Sequence, residues 1–122
     1  MAYMPAASPE SFLPISPAVF EILLALAGGD LHGYDILRDV ERRSAGRVSL
    51  HPGTLYRALH RLLHDRLVEE LDERPDPVLD DERRRYYRLT ALGRAVASAE
   101  ARRLASQVHA ARARRLLKGS TT

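Results

Sequence analysis

The chain has 122 residues, of which 45% are hydrophobic and 29% are charged, and it contains no cysteine. This length and composition are typical of one globular domain, and the lack of cysteine excludes disulfides, thiolate metal sites and cysteine nucleophiles. The formal net charge is only +3, which is weak evidence for an acidic partner, and no apolar run approaches the roughly 20 residues that span a bilayer.

The first 15 residues are rich in Pro, Ser and Ala and contain no lysine or arginine. Proline interrupts regular secondary structure, and a secretory signal begins with a basic region. We therefore predict a flexible arm over residues 1–15 and a cytoplasmic protein.

A first helix is predicted to begin at Ser16-Pro17, where a hydroxyl N-cap precedes a proline in the first turn, and to end before Gly28-Gly29. Its apolar residues, which include Phe20 and Leu24, cover much of its circumference. Such a helix packs against more than one neighbour. A second predicted helix, over residues 33–45, buries one face and carries charges on the other.

The third predicted helix has the clearest pattern. Pro52 suits its first position, and its core stripe consists of Leu55, Leu59, Leu62 and Leu63. One face away from that stripe is formed at helical spacing by Thr54, Arg57, Ala58 and Arg61, with Tyr56 and His60 beside it. No carboxylate occurs in this helix before Asp65, so the face can approach a polyanion.

Two short segments that follow predict a β-hairpin. Residues 67–71 suit a strand, residues 83–89 alternate between two faces, and two prolines lie between them. Residues 69–82 contain eight acidic residues and one arginine. The tip of the hairpin is therefore predicted to be acidic.

Thr90 is a suitable N-cap for a long helix predicted over residues 91–117. Apolar residues in this helix recur at alternating steps of four and three, which is coiled-coil-like spacing: Ala97, Ala101, Leu104, Val108 and Ala111. One small domain would leave this stripe exposed, so we predict that it joins two copies of the chain.

The order of three helices, a β-hairpin and a long helix predicts a mostly α fold, the winged helix-turn-helix (α-α-α-β-β-α). In this fold the third helix enters the major groove of DNA and the hairpin, or wing, lies along the backbone. We expect the arm over residues 1–15, the winged-helix domain over 16–89, a dimerisation helix over 90–118 and a disordered tail over 119–122.

Three motifs, at spacings that fit the predicted helices, resemble the PadR family of bacterial transcriptional regulators. They are His32-Gly33-Tyr34, then Pro52-Gly53-Thr54-Leu55-Tyr56 followed by Ala58-Leu59, and Tyr86-Tyr87-Arg88-Leu89-Thr90. The resemblance extends over about residues 18–117. It is closest to the compact branch of the family, which has a single C-terminal helix.

The resemblance implies a homodimer, built by the first and last helices, that represses transcription by binding a double-stranded operator and is released by a small molecule or a stress signal. With the helix patterns, it gives these DNA-binding candidates: Tyr34, Thr54, Tyr56, Arg57, His60, Arg61, Arg83 and Arg84. We expect the hydroxyl side chains at phosphates and Arg57 and Arg61 at base edges. The interface candidates are Phe20, Leu24, Ala97, Ala101, Leu104, Val108 and Ala111.

The chain departs from the family pattern at two places. His51 and Arg57 stand where members often have Ser and Pro; histidine is a poorer N-cap than serine, and Arg57 adds charge to the face expected to meet DNA. The wing, which members tend to make rich in Gly, Arg and Lys, here carries Asp72, Glu73, Asp76, Asp80, Asp81 and Glu82. We expect its basic stem, at Arg83 and Arg84, to contact the DNA backbone while the acidic tip is held away.

Other functions have weaker support. His60 and His64 are spaced like metal ligands but lack a third ligand, and the acidic residues 80–82 lack the spacing of a cation-binding loop, so we predict no metal or cofactor. No motif of an enzyme active site occurs. One alternative stays open: a winged helix that binds a basic protein through its acidic wing and has no operator.

Overall fold

The computed structural model describes residues 8–71 and 85–118. Within these residues the chain forms four α-helices and three short strands, in an order that begins with a single 3-10 turn at Pro9–Phe12. The elements are α1 (Pro17–Ala27), β1 (Leu31–His32), α2 (Gly33–Arg43), α3 (Pro52–His64), β2 (Val68–Leu71), β3 (Tyr86–Leu89) and α4 (Ala91–Ala113).

The helices begin where the sequence predicts, because a side chain caps each first turn. The Ser16 hydroxyl accepts the Val19 N–H at 3.2 Å, and the Thr90 hydroxyl accepts the Gly93 N–H at 3.0 Å. Two helices end earlier than predicted: α2 at Arg43 and α4 at Ala113. In both cases the chain leaves the helix through a residue with positive φ, Ala45 and Arg115 respectively.

The predicted hairpin is present, but the sheet has a third strand that the sequence did not predict. β3 lies in the middle, with β2 antiparallel on one side and β1 antiparallel on the other. Leu31 is paired with Tyr87, and His32 with Tyr86. A two-residue strand is too short to show an alternating pattern in the sequence. β1 forms because it pairs with the edge of β3 that β2 leaves open.

One hydrophobic core lies between the helices and the inner face of the sheet. Tyr87 and Leu89 of β3 are buried in it, while Arg88 between them is exposed. The buried aliphatic side chains of α1, α2 and α3 are Ile22, Leu23, Leu26, Ile36, Val40, Leu55, Leu59 and Leu62. The three-helix unit is therefore held to the wing stem by shared burial.

The N-terminal segment differs from the flexible arm predicted over residues 1–15. Residues 8–15 lie against α4, and Phe12, Leu13 and Ile15 pack on the core. The carboxylate of Glu100, which is buried in α4, accepts the backbone N–H of Ile15. Burial of these apolar side chains explains why this part of the arm is ordered, while residues 1–7 lie outside the described residues.

The fold is a winged helix-turn-helix with a long fourth helix, as the sequence predicts. Residues 72–84, which include the predicted acidic tip and the two stem arginines Arg83 and Arg84, lie outside the described residues, as does the predicted tail at 119–122.

Candidate nucleic-acid interface

The exposed face of α3 is basic along its whole length. Arg57, His60, Arg61 and His64 are all exposed, whereas the leucines on the opposite side are buried. These four side chains line one open groove together with Gly53, Tyr56 and Asp65. We call Arg57, His60, Arg61 and His64 the basic face.

Two residues of the face that the sequence predicted do not belong to the basic face. Ala58 is half-buried and packs on the core, and Thr54 is half-buried at the edge of the helix. His64 takes a place on the face instead. Its spacing of four residues from His60 was the signal for this position, although it was considered only for metal binding.

Neither arginine of the basic face forms an ion pair with a carboxylate within residues 8–71 and 85–118, although Asp65 lines the same groove. Arg57 donates only a weak hydrogen bond, to the Thr54 hydroxyl at 3.5 Å. By contrast, Arg43 on α2 donates to Asp39 at 2.6 Å and to Glu21 at 2.9 Å. Because no described carboxylate neutralises them, the positive charge of Arg57 and Arg61 is available to an external anion.

Tyr56 lies beside the basic face but its hydroxyl is directed toward α2. A Cβ atom added to Gly33 would lie 2.5 Å from the Tyr56 hydroxyl oxygen and 3.0 Å from the ring carbon that bears it. Gly33 is the first residue of α2. Tyr56 therefore sets the distance between the two helices of the helix-turn-helix, and the phosphate contact predicted for it stays a prediction.

Tyr34 projects into solvent from the first turn of α2. Its exposed fraction is 48%, and the guanidinium of Arg38 lies 5.1 Å from the centre of its ring. Tyr34 and Arg38 therefore lie together at the surface of α2, and the phosphate contact predicted for Tyr34 stays a prediction.

Histidine caps both helices of the motif. The Nδ1 atom of His51 accepts the Gly53 N–H at 3.1 Å at the start of α3, and the Nδ1 atom of His32 accepts the Asp35 N–H at 3.3 Å at the start of α2. His51 thus takes the role that serine often has in the family that the sequence resembles. The cap holds α3 at the position that presents the basic face.

The two arginines in the described part of the wing stem are paired with carboxylates. Arg85 donates to Glu70 at 3.0 Å, and Arg88 donates to Asp30 at 2.9 Å and lies 3.9 Å from Glu69. A phosphate would have to compete with these carboxylates. A contact between the stem and the DNA backbone therefore depends on the predicted residues Arg83 and Arg84, which lie outside the described residues.

The predicted interface residues differ in how exposed they are: some are exposed, some are half-buried and one is buried. Leu24 and Val108 are exposed, at 37% and 39%, and Ala101 is exposed as well. Phe20, Leu104 and Ala111 are half-buried. Ala97 is buried in the core of its own chain, with an exposed fraction of 8%, which leaves little of it for a partner.

The described residues contain no other obvious site. Within residues 8–71 and 85–118, no three His, Asp or Glu side chains come together in a group that could hold a metal ion. None of the helices in these ranges combines the length and the apolar character needed to cross a bilayer.

A family model described as the transcriptional regulator PadR-like family matches residues 22–99. The chain belongs to the PadR-like family of transcriptional regulators. The match covers α2, α3, the sheet and most of α1, so that the helix-turn-helix and the basic face both lie within the PadR-like segment.

Individual proteins resemble this chain in sequence or in fold. A 37.1 kDa protein in transposon TN4556 of Streptomyces fradiae is 42% identical over 84 residues, which are 69% of this chain but only 22% of that protein. A PadR family transcription regulator from Clostridium difficile has a similar fold, with a TM-score of 0.65, 22% identity, and coverage of 80% of this chain and 96% of that one. A transcriptional regulator from Clostridium thermocellum has a TM-score of 0.64 and 22% identity, with coverage of 85% and 99%.

Proposed function

We propose that this PadR-like protein is a homodimer that binds a pseudo-palindromic DNA operator through α3 and represses transcription. The observation that carries the proposal is the basic face of α3, whose arginines have no carboxylate partner among the described residues. An exposed cationic face of this kind on the third helix of a winged helix suits the major groove.

The proposed dimer would present two α3 helices to the DNA. One α3 helix reads one half-site, and a two-fold axis places the second helix about 34 Å away, in the next major groove on the same side of the DNA. The exposed apolar residues Leu24 of α1 and Val108 of α4 support an interface on these two helices.

Repression and its release rest on the family resemblance. A small molecule or a stress signal would act between α1 and α4 across the dimer axis, where it would change the spacing of the two α3 helices. We propose no catalytic step, since the PadR-like family is in general not enzymatic, and the cytoplasmic location stays a prediction.

The proposal is tested by gel retardation of the DNA upstream of the protein's own gene. We expect Arg57→Ala and Arg61→Ala each to weaken binding by about 1–3 kcal/mol if the side chain contacts a base, with an unchanged circular dichroism spectrum. Arg102→Ala is the matched control, because it removes the same charge from an exposed position of α4 that lies about 120° around the helix from Val108. Unchanged retardation by both α3 variants would contradict the proposal.

Salt dependence provides a second measurement. The logarithm of the association constant should fall by about 0.9 per tenfold increase in salt for each phosphate that is neutralised. A flat dependence would contradict operator binding.

The second candidate is a protein-interaction module. The observation in its favour is that Arg85 and Arg88 of the described wing stem are already paired with carboxylates, so a phosphate would have to compete for them. The same retardation assay tests this candidate. It is supported if the protein binds no DNA at low salt but binds a basic protein in a pull-down, and if Glu69→Gln weakens that binding.

A further inference from the structure

We propose that the basic face selects operator half-sites in which two guanines lie about two base pairs apart, with Arg57 and Arg61 each reading one guanine. This inference rests on the proposed operator binding and names the sequence class that the operator would have. It depends on the chemistry and the spacing of the exposed side chains of α3.

The side chains of α3 favour guanine over the other bases. Guanine presents two acceptors, O6 and N7, in the major groove, and a guanidinium donates to both of them at once. Bidentate recognition of adenine uses Asn or Gln, and the cytosine amino group is characteristically read by a carboxylate. Residues 52–64 contain no Asn, Gln, Asp or Glu.

The two histidines of the basic face do not change this preference. The two nitrogens of an imidazole point in divergent directions, so His60 and His64 cannot form the parallel pair of hydrogen bonds that Asn or Gln forms with adenine. Each ring offers a single hydrogen bond, which suits a phosphate or one atom of a base.

The positions of the arginines set the spacing of the guanines. Arg57 and Arg61 are one turn apart, which is about 6 Å along the helix axis. Base pairs follow each other about every 3.4 Å. When α3 lies along the groove, the two guanidinium groups therefore reach bases that are about two steps apart.

Both arginines are available for this contact. The guanidinium of Arg57 lies over the first turn of α3, where its Nη2 is 3.5 Å from the Thr54 hydroxyl and its Nη1 is 3.4 Å from the position of a Cβ on Gly53. The N-terminal residues of a recognition helix contact base edges in this class of motif. No described carboxylate is ion-paired with Arg57 or Arg61, so neither loses an internal ion pair on binding.

The test is selection of bound duplexes from a random DNA library by the full chain at about 0.15 M salt. We expect symmetric half-sites with two conserved G·C pairs about two positions apart. Changing either guanine to adenine should lower affinity about 5- to 150-fold, and 7-deazaguanine, which lacks the N7 acceptor, should also weaken binding.

The variants then assign each guanine to an arginine. Arg57→Ala should lose the preference for guanine at one position and keep it at the other, Arg61→Ala should show the reverse, and Arg102→Ala should keep both. Two outcomes would overturn the guanine assignment and leave operator binding in place. The selected half-sites could lack the paired guanines, or both α3 variants could lose the same affinity for every sequence. Failure to select any sequence would overturn both.

Discussion

Gly93 determines how closely α4 approaches the connection between α3 and β2. A Cβ atom at this position would overlap the carbonyl oxygen of Leu67 and lie 2.8 Å from the Leu67 carbonyl carbon. The obstacle is backbone, which has no alternative rotamer. Glycine is therefore required here for space, in the interior of the first turn of a helix where alanine would otherwise be preferred.

We predict that Gly93→Ala destabilises the protein by about 3 kcal/mol, the upper end of the cost of overpacking, and lowers Tm by on the order of 10 °C. Differential scanning calorimetry measures this change. Gly28→Ala is the control, because a Cβ there lies at an ordinary distance of 3.5 Å from the Ala25 carbonyl oxygen. Equal Tm values for the two variants would contradict the prediction.

At the scale of residues, the sequence predicts which side chains are on α3 but not all of their directions. Arg57 and Arg61 are exposed as predicted, because the leucine stripe fixes the buried side. The contact of Tyr56 with Gly33 joins two helices, and the helical pattern of either one contains no sign of it. The same limit applies to Ala58, since its burial depends on the neighbouring elements.

Among the elements, the N-terminal segment is attached to α4 by a buried acid. Arg103 donates to both carboxylate oxygens of Glu100 at 2.7 Å, and the Ile15 N–H donates to the same carboxylate. The hydrogen bonds from Arg103, supported by the one from Ile15, hold the pKa of Glu100 below its ordinary value of 4.5 although burial opposes this. The ionised form is therefore stabilised in the folded protein.

We predict that this carboxylate makes stability depend on pH. A group whose pKa is lowered by folding stabilises the protein above its unfolded pKa and loses that effect as the pH falls through its folded pKa. The difference in unfolding free energy between the wild type and Glu100→Gln should thus be largest above pH 4.5 and decrease below it.

Urea denaturation at several pH values measures this difference. Glu41→Gln, which changes an exposed glutamate of α2, is the control and should show little pH dependence. If the difference in unfolding free energy between the wild type and Glu100→Gln is the same at neutral and at acidic pH, the ionised Glu100 carboxylate does not stabilise the folded protein.

The sequence predicts where each helix begins more successfully than it predicts which other segments pack against it. Ser16, Pro52 and Thr90 mark the first turns of α1, α3 and α4, because caps act within a few residues. β1 and the docking of residues 8–15 could not be predicted, since both depend on surfaces created by segments distant in sequence.

At the scale of the whole molecule, the proposed dimer requires an accessible apolar surface on α4. The predicted stripe on α4 is buried against the chain's own core at Ala97 and becomes accessible toward Val108. After Ala97, the stripe residues Ala101 and Val108 are exposed and Leu104 and Ala111 are half-buried. We therefore expect the proposed interface on the part of α4 that follows Ala97.

We predict that Val108→Glu dissociates the dimer, because it places an unpaired charge in an apolar interface. Sedimentation velocity should show a dimer for the wild type and a monomer for this variant, with unchanged helix content. Ser106→Glu is the control: it adds the same charge about 200° away around the helix. A wild-type monomer, or a dimeric Val108→Glu variant, would contradict the proposed assembly.

At this scale the sequence predicts the architecture and the family, but not how charge is distributed on the wing stem. Arg85 and Arg88 belong to the basic segment of the second wing strand, and in the folded chain Glu70, Asp30 and Glu69 lie next to them. Pairing of β3 with β2 brings Glu69 and Glu70 to these arginines, and pairing of β3 with β1 brings Asp30 to Arg88. The pairs therefore follow from the register of the sheet.

The junction at Thr90 has a consequence for backbone dynamics. Thr90 lies outside every helix and strand, yet its N–H donates to the Leu67 carbonyl at 3.1 Å and its hydroxyl donates to the Arg66 carbonyl at 2.7 Å. We expect the Thr90 amide to exchange with deuterium only when the protein unfolds globally, in contrast to Arg47, whose amide bonds locally to Ser44. Hydrogen exchange measured by NMR checks this, and exchange of Thr90 as fast as that of Arg47 would show that the base of the wing opens by itself.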